Sequence, residues 1–194
     1  MITIPITQAH KELTLKYAPG QDLGGYSNLD KSDLGKSSRL GFQHTGIYGE
    51  LAWHMFRRGN TIKLVKILEE KFATLRPTKK GDGGYDDDIT HNGTTRLIDI
   101  KSSHIVDEDQ IPKLNLVIPD REYHEHMIYV AAFTIGNSKE DRLNIDRVVL
   151  AGWCPNEQVK DRWRYDDKKR AVRVPNLRDM SSLKSIFEPI IGSE

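Results

Sequence analysis

The sequence predicts a mixed α/β domain built around a central β-sheet, and three stretches carry that prediction. The first is 46-GIYGELAWHMFRRGN-60, where Ile47, Leu51 and Met55 recur every four residues beside Tyr48, Ala52 and Phe56. One apolar stripe at that spacing marks an amphipathic helix. The second is Asn92-Gly93, a dipeptide that favours a two-residue type I′ hairpin turn because both positions tolerate positive φ. The third is 126-HMIYVAAFTI-135, a nearly continuous apolar run rich in β-formers, as expected of a strand buried on both faces. Helices, then strands, then a helix place these pieces in one layered domain.

In chain order, residues 2–7 alternate apolar and polar side chains around Pro5, which permits no more than a short edge strand. Residues 18–46 are rich in Gly, Ser, Asp and Asn without a clear period, and read as a long loop holding at most one helical turn. The helix of 46–60 follows, stopped near Gly59. Asn60 is placed to cap a second helix, 61-TIKLVKILEEKFATL-75, with Ile62, Val65, Leu68 and Phe72 inward and Pro77 preventing its continuation. After the hairpin, 111-IPKLNLVIPD-120 lies between two prolines and reads as irregular or a short strand. The buried strand of 126–135 is followed by a shorter one in 146-DRVVLAGW-153. The segment 154-CPNEQVKDRW-163 then starts like a helix with Pro155 early, and 181-SSLKSIFEPI-190 reads as a final short helix.

The 194 residues suit a single domain, 1–194, with 37% hydrophobic and 29% charged side chains. A formal net charge of +1 names no partner, although a local basic surface can sit on a balanced chain. The single cysteine, Cys154, excludes an internal disulfide and a cysteine-based zinc site. No apolar run approaches the roughly 18 residues of a bilayer span. The first residues lack the basic start and long apolar core of a signal peptide. A cytoplasmic protein with no membrane partner is the expectation.

The chemistry concentrates in 81-GDGGYDDDITHNGTTRLIDIKSS-103. A two-residue turn at Asn92-Gly93 sets His91 opposite Thr94 and carries Asp86 opposite Asp99. Facing side chains in such a ladder have Cβ atoms about 4.5–5.5 Å apart, and like charges there repel. Lys101 lies two residues beyond Asp99 and so shares its face. Ile98 and Ile100 alternate with them, which gives this strand one apolar face, and Gly81, Gly83 and Gly84 permit a bent backbone or a close ligand. A divalent cation between Asp86 and Asp99 would relieve the repulsion. Two carboxylates without a soft ligand favour a hard ion, Mg²⁺. Asp88 shares the face of Asp86 and is its reserve, Asp82 a weaker one, while Asp87 should face away.

These residues resemble the PD-(D/E)XK nuclease superfamily: Glu50 on the helix GIYGELAWHMF, Asp86 in GDGGYDDDI, and Asp99-Ile100-Lys101 in LIDIKSS. The G-D-G-G-x-D form is similar to the version in Mrr-like restriction enzymes. The resemblance covers about residues 46–165, leaving 1–45 as a loop-rich N-terminal segment and 166–194 as a C-terminal extension. One departure is Tyr85, where the named motif has proline. The resemblance implies a restriction-endonuclease-like core, a mixed sheet of about four strands flanked by helices. It implies that Asp86, Asp99 and the backbone carbonyl of Ile100 ligate Mg²⁺, with Mn²⁺ able to substitute. Glu50 would complete the shell directly or through water. Lys101 would hold or help deprotonate the attacking water, or neutralise the phosphate.

The expected function is therefore a Mg²⁺-dependent nuclease, an endonuclease on DNA, which as a double-strand cutter would act as a homodimer. Lys79 and Lys80, beside the carboxylates, and Ser103, on the metal face, are the candidate phosphate contacts. Lys31, Lys36, Arg39, Arg57, Arg58, Arg162, Arg164, Lys168, Lys169 and Arg170 are further basic candidates. His44 and His54 flank Glu50 and could approach a phosphate. His124 and His126 lack a third zinc ligand and read as a solvated or core-edge pair, and Cys154 as a buried strand-end residue. Two other classes stay open: a catalytically silent nucleic-acid-binding protein of the same fold, and a non-nuclease metal-binding α/β protein.

Overall fold

A computed structural model of the chain describes residues 1–17, 36–59, 85–91, 93–138, 142–160, 164–166 and 168–187. In chain order it contains β1 (Ile2–Pro5), α1 (Gln8–Tyr17), α2 (Lys36–Arg58), β2 (Asp87–His91), β3 (Thr94–Ile105) and β4 (Asn115–Pro119). Then come β5 (Met127–Gly136), β6 (Ile145–Pro155), α3 (Asn156–Lys160), β7 (Arg164–Asp166), β8 (Lys169–Arg173) and α4 (Met180–Phe187). The predicted second helix at 61–75, Lys31, Lys79, Lys80, Asp82, the neighbouring glycines, Asn92 and Arg162 lie outside the described residues.

The period-2 and period-3.6 patterns account for most of these elements. All ten residues of β5 are buried, as a run apolar on both sides requires. The ladder pairs His91 with Thr94, so the hairpin has a two-residue connection, and Gly93 has φ 75°. The apolar stripe Ile47, Leu51 and Met55 is buried along α2, which ends before Gly59 at φ 78°.

Three expectations are corrected. Helix α2 begins at Lys36, within the stretch expected to be loop. Most residues of its early turns are polar, and no apolar stripe marks them; further along, His44 and Thr45 are buried. Helix α1 was not anticipated, because its inner face is His10, Leu13 and Thr14. Those polar groups bond locally: Thr7 N donates to His10 Nδ1 at 3.1 Å, and Thr14 Oγ1 donates to the His10 carbonyl at 2.9 Å. Pro155 closes β6 instead of opening the helix, which starts at Asn156.

Among the described residues the central sheet has five strands in the order β1-β6-β5-β3-β2, against the expected four or so, because β1 adds at the edge. β3 and β5 run parallel, and the β1–β6, β5–β6 and β2–β3 pairs are antiparallel. A second sheet, β4-β8-β7, joins the segment between two prolines to β8, in the residues read as an extension, and to β7, where the expected core ends. The layers follow from which residues bury together. Ile98, Ile100, Val130 and Leu150 face α1, α2 and α4 through Leu13, Trp53 and Leu183. Tyr129, Ala131, Phe133 and Cys154 face the second sheet and α3 through Leu116, Ile118, Val172 and Val159. Among the described residues no helix is long and apolar enough to cross a membrane.

Candidate active site

Strand β3 alternates between the two layers. Ile98, Ile100 and Ser102 face α2, and so Asp99, Lys101 and Ser103 face the second sheet. Helix α2 comes close to β3 because residue 49 is glycine: a Cβ there would collide with Ser102 Oγ and lie 3.3 Å from Ile100 Cγ2. Ser102 thus points away from Asp99, while Ser103 is exposed on the Asp99 side.

Asp99 is only 4% exposed. Lys101 Nζ lies 2.7 Å from its Oδ2, but that oxygen receives no well-directed hydrogen bond. The same ammonium donates to Glu122 Oε2 at 2.6 Å. Burial pushes the Asp99 carboxyl up to about 7, Lys101 opposes this, and the charges of Asp86 and Glu122 add to it. Burial works against the charge on Lys101, but the carboxylates of Asp99 and Glu122 outweigh it and raise its pKa above the ordinary lysine value. Lys101 is therefore a permanent cation at neutral pH in this arrangement.

Asp86 sits beside this pair but not where the ladder alone would put it. Pairing begins at Asp87 opposite Ile98, and Asp86 N donates instead to the Ile98 carbonyl at 2.7 Å. Asp86 Oδ2 accepts from Ile100 N at 2.6 Å, so the carboxylate lies against the D-x-K backbone rather than squarely opposite Asp99. The backbone bends at Asp86, and that bend costs the last rung of the ladder. Asp88 is exposed on the face shared with Asp86.

Asp87 turns to the other layer, as expected. Its Oδ2 accepts from Trp53 Nε1 at 2.8 Å and from Arg57 Nη1 at 2.6 Å, with His54 Nδ1 at 3.9 Å. Burial would raise its pKa, but the Trp53 hydrogen bond and the charges of His54 and Arg57 lower it. Arg57 is thereby a structural partner of Asp87. His54 and His44 are 2% and 1% exposed, which removes both from direct phosphate contact. His124 and His126 are exposed in a turn, with His126 at φ 64°.

Asp86 and Asp99 come together, both offer hard oxygens, and Asp99 Oδ2 is a buried acceptor without a directed donor. Those features fit Mg²⁺ with water completing its shell. Glu50 is half-buried on α2. Among the described residues no three His, Cys, Asp or Glu side chains form a group that could hold an ion, so Glu50 does not join the two aspartates in one.

Glu122 and Tyr129 are the site residues that sequence reasoning missed. Tyr129 pairs with Asp99 across the parallel ladder and donates its hydroxyl to the Glu122 carbonyl at 2.9 Å. Glu122 opens the segment EYHEH, whose histidines drew attention away from it, and nothing local marks its approach to Lys101. Comparison with protein-family models, curated proteins and solved structures finds no match for the chain.

Proposed function

We propose that the chain is a metal-dependent nuclease that hydrolyses phosphodiester bonds in DNA. The observation that carries this reading is a buried aspartate, Asp99, in contact with Lys101 on one strand face, with the Asp86 carboxylate against the intervening backbone. Burying like charges together is unfavourable unless a cation or a substrate repays it. Asp86, Asp99 and the Ile100 carbonyl would hold Mg²⁺, or Mn²⁺ in its place. The ion would supply a water of lowered pKa and stabilisation of charge on the phosphoryl oxygen.

The chain's own groups have separable tasks. Asp99 presents a carboxylate whose burial strengthens its pull on any cation. Lys101, held protonated, faces the anionic phosphate as a fixed positive charge and orients water rather than taking its proton. Ser103, exposed two residues on, can donate to a phosphate oxygen. Lys168 and Lys169, exposed at the start of β8, would add contacts that set affinity without reading sequence.

The second reading is a catalytically silent DNA-binding protein of the same architecture. It is favoured by the clamping of Lys101 between two carboxylates, with no third acid joining Asp86 and Asp99 among the described residues. Wild type, Asp99→Ala and Lys101→Ala are incubated with plasmid, linear duplex, single-stranded DNA and RNA, with Mg²⁺, Mn²⁺ or EDTA. The nuclease reading expects metal-dependent cleavage by wild type and at least about a 10²-fold loss in either variant. Wild type that binds DNA but cuts nothing moves the assignment to the silent protein. Variants that cut as well as wild type remove the site.

A further inference from the structure

Lys101 has two anionic partners, and only Asp99 belongs to the D-x-K triplet. The other, Glu122, comes from a single 3-10 turn, Asp120–Glu122, that leads from β4 towards β5. Long side chains at such turns are ordinarily free to rotate. This one is fixed from several directions. Tyr129 Oη donates to its backbone carbonyl at 2.9 Å, and His124 N donates to Tyr129 Oη at 3.1 Å. Asp120 N donates to the Lys168 carbonyl at 2.8 Å, and Arg170 Nε donates to Asp120 Oδ1 at 3.0 Å. The Arg170 guanidinium also lies over the Tyr123 ring, 4.7 Å from its centre. Arg121 Nε takes the second oxygen, Glu122 Oε1, at 3.1 Å, which turns Oε2 towards Lys101.

We propose that Glu122 is a positioning residue that holds the Lys101 ammonium over the face it shares with Asp99. The need follows from charge. An Asp99 carboxylate engaged by a cation attracts Lys101 less, and the cation repels it. A lysine tethered by Asp99 alone would swing into solvent at the moment it was wanted. Glu122 lies on a different segment and keeps the ammonium in place. The neighbour of Lys101 in the parallel ladder is Ala131, whose side chain is a single methyl.

The role rests on the nuclease reading, and the test separates the two. Protein with ¹⁵N-labelled lysine, free of metal, should show a slowly exchanging Lys101 ammonium signal, assigned by its loss in Lys101→Met. The isosteric Glu122→Gln should broaden that signal away while the backbone amide spectrum stays folded. With Mg²⁺ and duplex DNA, Glu122→Gln should lower kcat by about 10²-fold, with KM within about twofold. Glu122→Asp, with the charge one methylene short, should recover part of the loss. In a Lys101→Met background Glu122→Gln should cost nothing more, because its effect passes through the lysine. Wild type that cleaves no nucleic acid ends the nuclease reading and this role with it. Active wild type with an equally active Glu122→Gln, a persisting ammonium signal, or full losses in both backgrounds overturns the positioning role alone.

Discussion

At the scale of single residues, the three consecutive aspartates divide by which way the strand turns them. Asp86 bonds to the backbone of Ile100, Asp87 is claimed by Trp53 and Arg57, and Asp88 meets solvent. Asp87 is a hydrogen-bonded anion in a mostly buried setting, so its loss removes the carboxylate oxygen that Trp53 Nε1 and Arg57 Nη1 share. Asp87→Ala should lower stability by about 1–3 kcal/mol, read from urea unfolding at pH 7. The sign with pH follows from its lowered pKa. An acid that is more acidic folded than unfolded stabilises above its unfolded value, about 3.9, and that stabilisation is lost as pH falls through the folded value. The gap between wild type and variant should therefore narrow below about pH 4; a gap that stays constant to pH 2 would refute this account. The direction of Asp87 was legible in the sequence, since it needs only the strand's period of two. Its partners were not, because Trp53 and Arg57 are 34 and 30 residues away.

At the scale of elements, the hairpin and α2 together present the D-x-K strand. The hairpin was readable because a two-residue turn fixes its own register, and the structure keeps that register from Asp87 to His91. The reading missed by one rung at Asp86, where the backbone bends out of the ladder. The seat of α2 depends on Gly49. Gly49→Ala would press a methyl onto Ser102 and Ile100, and should cost about 1–3 kcal/mol by overpacking. Ser102→Ala in the same chain removes the worst contact and should recover part of that loss. Thermal unfolding of the two single variants and the double variant decides it, and strictly additive losses would mean the helix rests elsewhere. The helix pattern of the sequence gives Gly49 no role. Its purpose is set by what stands opposite, which the helix pattern does not encode.

At the scale of the whole molecule, a five-stranded sheet separates a helical layer from a small second sheet, and the candidate site lies on the side of the second sheet. That sheet joins residues 115–119 to residues 169–173, so the segment read as an extension buttresses the site. Arg170 carries this link through Asp120 and Tyr123. Arg170→Ala should lower stability by about 1 kcal/mol and loosen the 120–124 turn. Amide exchange should then quicken at Tyr123 while the central strands β5 and β6 stay protected; unchanged exchange would detach the second sheet from the site. By itself the sequence determined the α/β class, the hairpin and its faces, the doubly buried strand, and the grouping of Asp86, Asp99 and Lys101. Each of these rests on a period or a turn confined to a few residues. Only the tertiary structure decided that β3 and β5 run parallel, that Tyr129 stands beside Asp99, and that Glu122 reaches Lys101 from 21 residues away. Those contacts join segments through the packing of two sheets, and no local pattern of side chains records which distant strand will be the neighbour.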